Sequence, residues 1–286
     1  MRYYIIAGEA SGDLHGSNLV KALHRQDAHA DVRCWGGDKM EAAGATLVKH
    51  YRDLAFMGFV EVLAHLRTIM GNISFCKKDI AAYQPDVLVL IDYPGFNLRI
   101  AEWAKQQGIK VVYYISPQVW AWKEGRVKQI KRDVDRMLVI LPFEQDFYKK
   151  WNFPVTYVGH PLIEVVEQEK VIAPAPLPND KPIIALLPGS RAQEIKVKLP
   201  IMLEMTERFP QYRFAVAQAP SQPDELYREI IGKKDVLLVK GKTYDLLKQA
   251  KAGLITSGTA TLETALFGVP QVVCYKGNAI SFWLAT

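Results

Sequence analysis

Short runs of β-branched and aromatic residues that end in Gly, Asp or Ser alternate along the chain with longer stretches in which apolar residues recur at helical spacing. That rhythm is the pattern of parallel βαβ units. In the first half it predicts strands at YYIIA (3–7), VRCWG (32–36), VLVLID (87–92), KVVYYIS (110–116), RMLVILP (136–142) and VTYVG (155–159). Helices are expected between them at 14–25, 59–82, 97–107, 123–134 and 144–150. A four-proline stretch, QEKVIAPAPLPNDKP (168–182), then interrupts the rhythm and reads as an extended linker. The βα alternation restarts with IIALLPGS (183–190), RFAVAQ (213–218), DVLLVKG (235–241), AGLITSG (252–258) and PQVVCYK (270–276). The expectation is an α/β chain of two Rossmann-like, doubly wound domains, 1–167 and 183–286, joined by the linker 168–182 and facing a cleft that holds the ligand. Because ISFWLAT (280–286) resembles an uncapped helix start, the second domain is expected to be incomplete.

Composition narrows the class. With 286 residues, 49% hydrophobic and 23% charged, the chain has enough apolar surface for two cores, which excludes a disordered or fibrous protein. Three scattered cysteines, Cys34, Cys76 and Cys274, form neither a disulfide framework nor a zinc site and fit a reducing cytoplasm. The apolar runs are too short for a signal-peptide core or a membrane span. A net charge of +6 bears on solubility more than on any partner.

Two turns in the second half point to an anionic ligand. In LLPGSR (186–191), Gly189, Ser190 and Arg191 lie between a strand and a helix start near Ala192, where free amides, the helix dipole and a guanidinium can cradle a diphosphate. A routine βα turn capped by Ser190 is the plain alternative. TSGTATLE (256–263) repeats the arrangement with Ser257, Gly258 and Thr259, and sets Glu263 one turn into the helix, where a carboxylate can hold a ribose. No Walker or GxGxxG pattern is present, so kinase and nicotinamide chemistry lose support.

The first half carries different groups. Asp92 ends a strand in LIDYPGFN and is the candidate general base, or else a helix cap. The loop AGEASGDLHG (7–16) is a poor phosphate site because Glu9 and Asp13 would repel the ligand; Glu9, Ser11 and Asp13 instead suit sugar hydroxyls, and His15 rivals Asp92 as base. Asp13 has the alternative of capping a helix that starts at Leu14. In SPQVWAWKEGRVKQIKR (116–132), Trp120 offers an apolar wall and Arg126 an anion contact, while Asp133 and Asp135 dilute the basic patch and weigh against nucleic acid. His160 in GHPL has no partner at ligand spacing, so no metal is expected. LAFMGFVEVLAHLRTIM (54–70) is either a core helix or a surface that dips into a bilayer through Met57, Phe59, Val60 and Leu63.

In this order, AGEASGD, FMGFVEVL, LIDYPGFN, SPQVWAW, LPFE, GHP, LLPGSR and SGTATLE closely resemble the lipid-A-disaccharide synthase family of bacterial glycosyltransferases. The resemblance implies a GT-B fold, with an acceptor-binding first domain and a UDP-sugar-binding second one. It also implies inverting transfer of 2,3-diacylglucosamine from its UDP derivative to the 6-hydroxyl of 2,3-diacylglucosamine 1-phosphate, giving the β-1′,6-linked disaccharide and UDP without metal or cofactor. On that reading Asp92 matches the family's strand-end Asp, although Gly95 stands where relatives often carry a second acid. The acylated substrates give the 54–70 segment a reason to meet the inner leaflet, which implies a cytoplasmic protein peripheral to the inner membrane. Family members continue past FWLA with a YxSLPN-type motif. The competing expectations are a UDP-N-acetylglucosamine 2-epimerase and a catalytically silent binding fragment.

Overall fold

The computed structural model describes residues 1–54, 66–178 and 180–276. The chain forms two compact units, Met1–Pro161 and Leu162–Thr286.

The first unit is built on a seven-stranded sheet of order β3-β2-β1-β4-β5-β6-β7. Its strands are β1 (Arg2–Ala7), β2 (Asp31–Gly36), β3 (Thr46–His50), β4 (Val87–Ile91), β5 (Lys110–Tyr114), β6 (Arg136–Val139) and β7 (Thr156–Tyr157). All neighbours run parallel. Alternate side chains of the central strands enter opposite cores. Tyr4, Ile6, Leu88 and Leu90 pack in one with Ile80, Ile100, Ala104 and Ile130, whereas Ile5, Ala7, Val89 and Ile91 pack in the other with Val20 and Met40. Burial on both faces is why these strands read as unbroken apolar runs, each large side chain contributing about 1.5–3 kcal/mol. β3 escaped the sequence reading because it is an edge strand, half-buried over Leu47–His50, with Lys and His at its end.

The second unit holds a five-stranded parallel sheet of order β10-β9-β8-β11-β12. Its strands are β8 (Ile183–Leu187), β9 (Arg213–Gln218), β10 (Leu237–Lys240), β11 (Ala250–Thr256) and β12 (Gln271–Cys274). The proline-rich stretch belongs to this unit: Leu177 N–H donates to Gln249 Oε1 at 3.1 Å, and Gln249 Nε2 donates to the Ala175 carbonyl at 2.9 Å. The helix Pro161–Lys170 enters it.

Each sheet has one point at which the strand order reverses, between β1 and β4 in the first and between β8 and β11 in the second. There the loops leaving the carboxyl ends diverge to opposite faces and open a crevice. Register sets what stands beside what: Ala7 pairs with Ile91, and Leu187 pairs with Ile255. Gly8–Glu9 therefore emerges next to Asp92–Tyr93, and Pro188–Ser190 next to Thr256–Gly258.

Candidate active site

In the first unit the crevice is lined by Glu9, Asp92 and the segment after β5. The helix Ala10–Gln26 starts directly after Glu9, which stands at its cap with an extended backbone. Gly8 lets the two loops touch, since a methyl group there would lie 2.3 Å from the Tyr93 ring, which is stacked at 5.8 Å on Phe96. Gly8→Ala is expected to displace Tyr93, lowering stability by about 1–3 kcal/mol and turnover with it. Thermal melting and rate measurements check this; wild-type values in both would mean that the ring moves aside freely.

Asp92 presents its side chain to water, yet protein crowds it on most sides. That burial pushes its carboxyl up to about 6, Glu9 raises it further, and a hydrogen bond from the Tyr93 amide pulls the other way. A carboxylate tuned toward neutrality and still accessible can accept a proton from a hydroxyl. His15 differs. It is buried, its Nδ1 has no partner among the described residues, and burial, with His160 adding, holds its imidazole down at about 4.

Asp13, expected either at the sugar or as cap of its own helix, caps a different helix. Only 3% exposed, it accepts hydrogen bonds from the amides of Gly37 (2.8 Å), Lys39 (3.1 Å) and Met40 (3.0 Å). Its carboxylate thus satisfies the start of a neighbouring helix, Asp38–Ala42, and has little surface left for a ligand. Its own helix begins at Ala10, not Leu14. Ser11 is half-buried nearby.

Beyond β5, Ser116 Oγ lies 2.7 Å from the Tyr148 hydroxyl, and both are buried. Glu144 beneath them accepts from the amides of Ile140 (3.2 Å) and Leu141 (2.9 Å). Burial raises its carboxyl, while those amides, Ser116 and Trp120 counter it. The Glu of LPFE thereby secures the turn after β6, so that Trp120, edge-on to Phe143 at 5.0 Å, is held half-exposed. Arg126 is half-buried, and no carboxylate pairs with it among the described residues. Its charge still reaches the buried Tyr113, which also senses Asp92. A guanidinium in such a place is suited to an anionic group.

In the second unit, Gly189 has φ 113° and Arg191 caps the helix Ala192–Leu203. Ser190 and Arg191 are exposed, and the Ser190 carbonyl is fastened by Gln222 Nε2 at 3.0 Å. The Arg191 guanidinium lies 3.8 Å from Glu194, a loose pairing that a phosphate can replace. Beside this turn Ser257, Gly258 (φ 147°) and Thr259 stand exposed at the start of the helix Thr259–Leu266. Both helices present free amides from adjacent strand ends. Glu263 is half-buried; burial raises its carboxyl, and the Tyr244 hydroxyl, donating at 2.6 Å, offsets part of that. Tyr244 was not foreseen, since GKTYDLL reads as an ordinary helix start. Met57, Phe59, Val60 and Leu63 lie outside the described residues.

The family model described as lipid-A-disaccharide synthetase matches residues 3–286. The lipid-A-disaccharide synthase of Syntrophus aciditrophicus (strain SB) is 43% identical over 289 residues, which cover 97% of this chain and 76% of that protein. Among solved structures, the UDP-GlcNAc 2-epimerase from Neisseria meningitidis bound to UDP-GlcNAc superposes with a TM-score of 0.67 at 13% identity, covering 100% of this chain and 85% of that one. The glycosyltransferase of kitacinnamycin gives 0.65 at 15% identity, covering 97% and 80%. At such identities the structural likeness speaks to the fold alone, two Rossmann-like domains of the GT-B type.

Proposed function

Because the chain belongs to the lipid-A-disaccharide synthase family and is therefore a glycosyltransferase, we propose that Asp92 is the base that activates the acceptor hydroxyl and that the two turns of the second unit hold the UDP of the donor. In this reading the 6-oxygen of diacylglucosamine 1-phosphate attacks the anomeric carbon of UDP-diacylglucosamine. The new C–O bond forms as the bond to the β-phosphate breaks, UDP leaves with the electron pair, and the hydroxyl proton passes to Asp92. Configuration inverts in this single displacement. Charge that develops on UDP meets the amides at Ser190–Ala192 and Gly258–Ala260 and the Arg191 guanidinium. Glu263, steadied by Tyr244, takes the ribose. Glu9 and Ser11 face the sugars, Trp120 supplies an apolar wall, and Arg126 meets the acceptor phosphate.

The observation that carries the reading is the Asp92 carboxylate, accessible at the end of a central strand and raised to about 6. It favours Asp92 over His15, because a base near the working pH combines availability with proton affinity better than one at about 4. The test mixes the chain with both acylated substrates and follows disaccharide and UDP. Product is expected from the wild type, with Arg191→Ala lowering turnover by about 10²-fold as charge stabilisation of the leaving group is lost. Epimerised sugar, or UDP binding without turnover, would overturn the assignment.

Peripheral contact with the inner leaflet belongs to the same proposal, as does a cytoplasmic location. Both substrates carry acyl chains, and the apolar 54–70 segment leads into the helix Leu66–Tyr83, where Met70 (59%) and Phe75 (47%) are exposed and Arg67 and Lys78 lie near them. Among the described residues no helix is long and apolar enough to cross a membrane. Charging the segment with Met57→Glu and Phe59→Asp is expected to reduce co-sedimentation with anionic vesicles at unchanged melting temperature. Undiminished vesicle binding would remove the membrane role.

A further inference from the structure

Left-handed backbone is uncommon outside glycine and is strained for bulky or β-branched residues. Five non-glycine residues adopt it among those described, and three of them, Asp92, Tyr93 and Ile115, follow the adjacent strands β4 and β5 at φ of 43°, 48° and 65°. Strain gathered at one point persists only where the surroundings over-determine it.

Two wholly buried side chains do so here. Asn97 Nδ2 donates to the carbonyls of Ile91 at 3.2 Å and Asp92 at 2.8 Å, and the Tyr113 hydroxyl donates to the same Asp92 carbonyl. Rotation of this peptide to the relaxed right-handed form would swing the carbonyl away, leaving the Tyr113 hydroxyl without its acceptor in the core and Asn97 Nδ2 with the Ile91 carbonyl alone. It would also re-aim the Asp92 side chain. Asn97 Oδ1 has no partner among the described residues.

We infer that Asn97 and Tyr113 are positioning residues which, by clamping the Asp92 carbonyl, fix the strained turn that aims the Asp92 carboxylate at the acceptor hydroxyl. The inference rests on the reading of Asp92 as base. Neither residue touches the reacting atoms; both act through the Asp92 backbone.

The experiment compares Tyr113→Phe and Asn97→Leu with the wild-type chain, using both acylated substrates at 25 °C. Because misplacing a catalytic group by about 1 Å can cost about 100-fold, kcat is expected to fall about tenfold in Tyr113→Phe and about 100-fold in Asn97→Leu, with each KM within about twofold. A glycine takes the left-handed form without strain, so Tyr113→Phe is expected to cost less than about threefold when added to Tyr93→Gly. Wild-type kcat in Tyr113→Phe, a loss that lies wholly in KM, or the same cost with and without Tyr93→Gly would overturn the inference. If Asn97→Leu does not fold, Tyr113→Phe decides alone. Asp92→Asn is run in parallel: full turnover there sinks the base and the clamp together, whereas an inactive Asp92→Asn beside an unaffected Tyr113→Phe sinks the clamp only.

Discussion

Asp92→Asn is expected to lower kcat by about 10²–10⁴-fold, the range that a positioned general base contributes. The amide keeps the shape of the side chain but cannot accept the hydroxyl proton. Residual turnover would come from the amides and Arg191 that stabilise departing UDP. The pH dependence has a definite sign. Burial, with Glu9 adding, lifts the Asp92 carboxyl from 3.8 to about 6, and only its deprotonated form works as a base. Wild-type kcat/KM is therefore lost as pH falls through about 6, by about tenfold per unit, and Asp92→Asn has no such limb. His15, held at about 4, adds no limb in that window. A raised carboxyl also means that ionisation disfavours the folded state above pH 6, so Asp92→Asn is expected to match or exceed the wild-type melting temperature; exposure of the side chain keeps this effect small. Turnover within tenfold of wild type, or a wild-type profile flat down to pH 5, would remove Asp92 from the mechanism.

Asp13→Ala is expected to cost on the order of 3–5 kcal/mol of stability. Three amides, those of Gly37, Lys39 and Met40, lose their acceptor at once, and two of these hydrogen bonds are fully buried. Gly37 itself packs closely on the carboxylate: a methyl group there would lie 2.8 Å from Asp13 Oδ2. Asp13→Asn retains one acceptor oxygen and is expected to lose about half as much. Denaturant midpoints measure the change. Where the variant remains folded, its KM for the acceptor sugar should match the wild type. A tenfold rise in that KM with unchanged stability would instead return Asp13 to the sugar site.

These two carboxylates show where reading the chain succeeds. Asp92 stands out because a charge directly after an apolar strand must lie at the strand's carboxyl end. Asp13 shares a loop-like stretch with Glu9 and looks equivalent to it, yet its partners lie 24 to 27 positions away. The helix start was misjudged for a related reason: Ser11 and Gly12 are poor helix formers, and Gly12 sits so close to the sheet that a methyl group there would lie 3.0 Å from the Ala7 side chain. Asn97 and Tyr113 were silent. One sits in an ordinary helix start and the other in a strand, and their effect runs through a carbonyl whose left-handed setting has no local signature outside glycine.

The periodicity of apolar residues by itself determined the central parallel strands and the two doubly wound units, because burial on both faces of a strand is written residue by residue into the chain; the family was legible separately, in the resemblance of its ordered motifs. Only the tertiary structure decided which strand ends stand together, which carboxylate is consumed as a helix cap and which is left accessible with a raised pKa. The physical reason is that a polar side chain's role depends on its hydrogen-bond partners and its access to water, and both are supplied by residues distant in sequence that meet it only when the sheet closes around them.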